Sequence, residues 1–108
     1  MLKRSYTAVL EKNETYTENF ETEPYETAWA GEALWFVRIL ELDDDTTFTA
    51  TAQISPDGLF WCDKGDAPLV ADKPGVYPLA LRDFGGWLRL RCDVASHVKL
   101  MVYLVLKE

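Results

Sequence analysis

The sequence holds one histidine, His97, and it stands beside Ser96. A Ser-His-Asp or Cys-His site needs that imidazole as its base, bonded to a nucleophile and oriented by a third group. Adjacent residues in a short turn do not form such a pair, so His97 reads as an exposed turn residue. Cys62 and Cys92 lie 30 positions apart with no Cys-x-x-Cys pair, and His97 has no second ligand at zinc spacing. The two cysteines read as small buried thiols of core strands, kept reduced in a cytoplasmic setting even if those strands are neighbours. Gly85-Gly86 is a β connection rather than a strand-to-helix phosphate loop. Asp43, Asp44 and Asp45 are consecutive, so their side chains diverge and lack the alternate spacing of a calcium loop. Asp57, Asp63, Asp66 and Asp72 fall in loops, and a calcium shared among them stays open. No catalytic residue, cofactor motif or metal-ligand set is assigned.

The aromatic residues say more. Trp29, Trp35, Trp61 and Trp87 are joined by five tyrosines and five phenylalanines. A small core takes some of these rings, and the rest are candidates for binding. Which ring goes where depends on the strands that carry them.

Those strands show in a period of two. Thr47 to Ile54 places Phe48, Ala50, Ala52 and Ile54 on one face and threonines with Gln53 on the other. Trp87 to Val94 turns Leu88, Leu90, Cys92 and Val94 inward. His97 to Leu106 turns Val98, Leu100, Val102, Leu104 and Leu106 inward. Leu34 to Leu42 is apolar on both faces, as in a central or covered strand. Ser55-Pro56-Asp57-Gly58 is a strong turn signal, and Lys73-Pro74-Gly75 and Phe84-Gly85-Gly86 punctuate the second half. Strands are expected at 5–11, 15–22, 25–30, 33–42, 46–54, 59–63, 76–82, 87–94 and 97–106. Eight or nine short strands with turns about every ten residues describe an all-β, antiparallel sandwich of jelly-roll character, in a single domain over 1–108. Residues 1–24 would serve as an acidic arm or as edge strands.

This parity puts Trp87, Arg89 and Arg91 outward on one strand, and Met101, Tyr103 and Val105 outward on the next. Ala95-Ser96 is short enough for a hairpin, which would merge the six side chains into one outward patch. Trp, Tyr, Met and Arg are favoured at subunit contacts, so this patch is the expected interface. A second reading is a carbohydrate-binding module, with Trp29, Trp35 and Trp61 near loops as the glycan contacts.

At 108 residues and a net charge of −7, the chain is one domain without a basic face for nucleic acid. An anionic membrane surface is disfavoured for the same reason. The acidity is concentrated: residues 11–45 hold eleven acids against Lys12 and Arg38. No apolar segment follows Lys3-Arg4 as in a signal peptide, so the chain is expected to be made in the cytoplasm.

The order of motifs resembles a known family. A Thr-rich strand runs into Ser55-Pro56-Asp57-Gly58-Leu59-Phe60-Trp61, followed by Gly75-Val76-Tyr77, Phe84-Gly85-Gly86-Trp87-Leu88-Arg89-Leu90-Arg91 and a last strand ending Leu104-Val105-Leu106. Over residues 25–106 this is similar to small β-sandwich structural proteins of tailed bacteriophages and prophages. Trp87 replaces an expected tyrosine, Ala95-Ser96-His97 replaces a glycine-containing turn, and the acidic segment 11–23 has no counterpart. The resemblance implies a capsid-decorating or tail-associated protein, located in the virion, that forms homo-oligomers, trimers slightly before dimers. It implies docking on a larger assembly such as a capsid or tail, and carries no catalytic residues.

Overall fold

A computed structural model describes residues 3–65 and 67–108. These form ten strands: β1 (Ser5–Tyr16), β2 (Phe20–Glu21), β3 (Tyr25–Glu26), β4 (Glu32–Leu42), β5 (Phe48–Ser55), β6 (Cys62–Asp63), β7 (Leu69–Ala71), β8 (Gly75–Arg82), β9 (Trp87–Val94) and β10 (Val98–Lys107). Sheet A has the order β1-β10-β4-β8. Sheet B has the order β2-β9-β5-β6, with β3 also beside β9 and β7 beside β5. All pairings are antiparallel. With β2 and β3 taken as one interrupted strand, and β6 and β7 as another, every link crosses between sheets except β5 to β6. That is a jelly-roll sandwich.

The alternation read from the sequence fills the space between the sheets. Ala33, Trp35, Val37 and Ile39 of β4 and the even-numbered residues Val98 to Leu106 of β10 face Phe48, Ala50 and Ala52 of β5 and Leu88, Leu90 and Cys92 of β9. Trp35 and Phe48 are fully buried. Burying an aliphatic or aromatic side chain contributes roughly 1.5–3 kcal/mol, so these rows hold the sandwich together.

The first strands differ from the expected spans. β1 runs on to Tyr16 because two register shifts absorb extra residues, between Val9 and Glu11 and between Glu11 and Glu14. Asn13 takes the left-handed conformation there (φ 55°), which asparagine tolerates better than most residues. The expected strands 15–22 and 25–30 shrink to β2 and β3 because side chains take over parts of the ladder. Thr22 Oγ1 accepts from Leu90 N at 2.9 Å, Thr27 Oγ1 donates to Gly85 O at 3.3 Å, and Asn19 Oδ1 accepts from Val94 N at 2.7 Å. β7 was not expected; it is three residues long, too short for a visible period.

Cys92 is buried as expected, but Cys62 is exposed, because β6 lies at the edge of sheet B. Burial pushes the Cys92 thiol well above its ordinary range. A water-soluble disulfide reagent is therefore expected to label Cys62 promptly and Cys92 only on unfolding. Prompt labelling of both thiols in the folded protein would contradict this packing.

Candidate functional site

The expected six-residue patch does not exist as one surface. β9 pairs with β5 in sheet B, and β10 pairs with β1 and β4 in sheet A. The Ala95-Ser96 link is an arch between sheets and not a hairpin. Its partner is the β4–β5 link, which crosses beside it. Ser96 Oγ donates to Asp43 Oδ2 at 2.6 Å, and His97 Nδ1 lies 3.0 Å from Asp43 Oδ1. Trp87, Arg89 and Arg91 thus lie on one outer face of the sandwich, and Met101, Tyr103 and Val105 on the other.

On sheet B the three residues are engaged within the chain. Ser55 Oγ accepts from the backbone N–H of Asp57 (3.2 Å) and Gly58 (2.8 Å), and Asp57 Oδ1 accepts from those of Leu59 (2.9 Å) and Phe60 (3.1 Å). Gly58, at φ +79°, lies against the Trp87 ring so closely that an added Cβ would come within 3.1 Å of it. Trp87 is therefore a half-buried seat for this turn. Leu59 and Phe60 project from the turn, each 76% exposed. Arg89 stacks over Trp61, 4.4 Å from the ring centroid, and donates to Gln53 Oε1 at 2.8 Å. Gln53 Nε2 donates to Asp63 Oδ1 at 2.9 Å, and Arg91 pairs with Asp63 at 3.0 Å. Arg89 and Arg91 have partners within the chain, so no charge pairing between copies is assigned to them.

The backbone donors of Leu59 and Phe60, with Ser55, hold the Asp57 carboxyl below the usual carboxylate range. A folded-state pKa below the unfolded one stabilises the fold above the unfolded value and is lost as pH falls through the folded value. The melting temperature of the wild type is expected to drop more steeply below about pH 4 than that of Asp57→Ala. Parallel pH curves from scanning calorimetry would rule out this role.

The outer face of sheet A carries an extended, mostly apolar surface. Its register aligns side chains in rows across four strands: Thr7, Val105, Leu34, Ala80; then Val9, Tyr103, Phe36, Pro78; then Met101, Arg38, Val76. Four strands about 4.8 Å apart and three rows about 6.7 Å apart tile about 19 by 20 Å. That footprint, Thr7 and Arg38 included, is roughly 400 Å², in the range of the largest apolar patch of a typical monomer, which is often functional. Val9 is 51% exposed and Val76 62%. The next row, Ser5, Lys107, Glu32 and Arg82, is polar, with Arg82 and Glu32 paired at 2.7 Å. A hollow of about 190 Å³ lies at that end, lined by Leu34, Ala80 and Val105 among others. An apolar centre with a charged rim is the anatomy of a protein contact.

Met101, Tyr103 and Val105 keep their place on this face. Leu34, Phe36, Val9, Val76, Pro78 and Ala80 were missed as site residues. The signal for two of them was present, since Leu34 to Leu42 is apolar on both faces.

The glycan candidates separate too. Trp35 is 0% exposed between the sheets, so it is a core residue and not a ligand platform. Its position inside the sandwich follows from β4 parity. Trp61 is half-buried under Arg89, and Trp29 is half-buried with the Arg4 guanidinium 4.6 Å above its ring. Trp29 lines an open cleft with Tyr6 and Tyr25.

Ser96 donates to Asp43 and not to His97, so the nucleophile–base link of a triad is not formed. The two hydrogen bonds, from Ser96 first and then His97, hold the Asp43 carboxyl below its ordinary range. Of the acids considered for calcium, Asp57 caps its turn, Asp63 pairs with Gln53 and Arg91, and Asp66 lies outside the described residues. Among the described residues, no three His, Cys, Asp or Glu side chains stand together as metal ligands.

No family model matches the chain, and no curated protein matches it. Among solved structures it is similar to the Yersinia pseudotuberculosis-derived mitogen (YPM), with 14% identity over 98% of this chain and 84% of that one, at a TM-score of 0.47. At that distance nothing follows for what this chain does.

Proposed function

We propose that this chain is a non-enzymatic assembly protein that self-associates through the outer face of sheet A and docks on a larger protein particle. One observation carries the reading: among the described residues, no element covers a four-stranded, mostly apolar face that is rimmed by charge. A strand apolar on both sides belongs in a layer covered on both sides. The occupant we assign is a second copy. The charges at the edge of the face are of both signs, Lys107 and Arg82 beside Glu32, so they select no oppositely charged partner. A contact of standard size buries roughly 800 Å² from each partner. The tile with its Ser5, Lys107, Glu32 and Arg82 row covers roughly 510 Å², so two copies bury about 1,000 Å² in total, the threshold for a specific contact. The turn that presents Leu59 and Phe60 offers a rigid apolar tip for the particle, since preorganised contacts lose little entropy on binding. The phage-particle setting, and the preference for a trimer, rest on the sequence resemblance.

Hydroxyl-radical footprinting tests the assignment of the face. As protein concentration rises, labelling of Met101 and Tyr103 is expected to fall while that of Phe60 stays constant. Concentration-independent labelling of Met101 and Tyr103 would overturn it.

A further inference from the structure

A second surface adjoins the rim of the association face at Ser5. Tyr6 pairs with Leu106, which has inward parity, so Tyr6 lies at the open mouth between the sheets and not on the outer face of sheet A. There Tyr6, Tyr25 and Trp29 wall a cleft of about 430 Å³, with Arg4 and Glu26 at its rim. Small-ligand sites have this make-up: a few hundred cubic ångströms, aromatic walls and a small number of polar groups. The Tyr6 and Tyr25 ring centroids are 6.5 Å apart, at 37° to one another. The cleft already receives one cation. The Arg4 guanidinium lies 4.6 Å from the Trp29 centroid, and Glu108 holds it in place at 3.1 Å. With Arg4 paired to Glu108, Glu26 is a further acidic group at the rim, its Oε1 accepting from Ala28 N at 3.0 Å.

We propose that this cleft binds the quaternary ammonium group of a small organic cation, with Tyr6, Tyr25 and Trp29 as the cage and Glu26 as the counter-charge. Aromatic faces attract cations through their quadrupole, and a methylated ammonium suits them because it has no N–H donors that need partners. Arg4 acts as a tethered competitor: it covers the Trp29 face that a ligand would use, and moves aside when one binds.

Calorimetric titration with choline tests this directly, with 3,3-dimethylbutan-1-ol as the uncharged probe of the same shape. Choline is expected to bind saturably, at least about tenfold more tightly in Arg4→Ala and about tenfold more weakly in Trp29→Ala, with the neutral probe far weaker throughout. Trp29 also packs against the core. Tyr6→Ala, at a residue 52% exposed, therefore serves as the variant that keeps its fold, and is expected to weaken choline in the same direction. Co-sedimentation with phosphatidylcholine vesicles would assign the cation to a lipid headgroup, and binding of free choline alone would assign a soluble one. Absence of choline binding in both the wild type and Arg4→Ala, equal binding of the neutral probe, or binding of methyl glucoside in place of choline would each overturn the proposal.

Discussion

Trp35→Ala is expected to destabilise the fold by roughly 3–5 kcal/mol, the cost of a cavity left by a buried tryptophan. Trp35 is fully buried near the middle of β4, paired in register with Leu104 on one side and Leu79 on the other. Domains of this size have only about 5–15 kcal/mol in total, so the variant lies near the limit of folding at 37 °C. At roughly 4–8 °C per kcal/mol, the melting temperature should fall by about 12 °C or more. Trp35→Phe should cost much less. It keeps most of the ring and removes an indole N–H that is buried with no partner. Thermal unfolding followed by near-UV circular dichroism separates the two. A Trp35→Ala change within about 0.5 kcal/mol of wild type would mark Trp35 as a surface residue and refute the parity of β4.

One residue further on, the expected effect reverses. Phe36 faces out in the row of Val9, Tyr103 and Pro78. Phe36→Asp places a carboxylate at the centre of the tile, where a second copy would have to desolvate it together with Arg38 of the adjacent row. Loss of a central anchor costs about 2 kcal/mol or more in association, close to a thirtyfold weaker dissociation constant. Folding should survive, because the core side of β4 is untouched. The variant is therefore expected to be a folded monomer with a melting temperature far closer to wild type than that of Trp35→Ala. If Phe36→Asp instead unfolds as readily as Trp35→Ala, the face is part of the fold and not a contact between copies.

Side-chain parity was legible in the sequence, while sheet membership was not. Leu88, Leu90 and Cys92, and the even-numbered residues Val98 to Leu106, face inward as their alternation dictates. Alternation is the same, however, whether a three-residue link folds into a hairpin or arches across to the other sheet. Ala95-Ser96 suits both, so Trp87, Arg89 and Arg91 were joined to Met101, Tyr103 and Val105 across a boundary. The polarity of the outer rows held the missing information. Arg89 and Arg91 match the outward Gln53 and Thr51 of β5, whereas Tyr103 and Val105 match Phe36 and Leu34 of β4. Strands sharing a sheet share a solvent face, and matching those rows pairs β9 with β5 and β10 with β4. The Trp29 cleft was beyond such reasoning, because its walls come from β1, β3 and the following loop, which meet only after both sheets close.

The proposed contact joins copies of this chain through the outer face of sheet A. Sedimentation equilibrium of the wild type beside Phe36→Asp, over a range of concentrations, tests it most directly. The expected result is a wild-type mass of two or three times 12.3 kDa and a folded variant at 12.3 kDa. A wild type that stays at 12.3 kDa at every concentration, or a Phe36→Asp variant that still assembles, would contradict it.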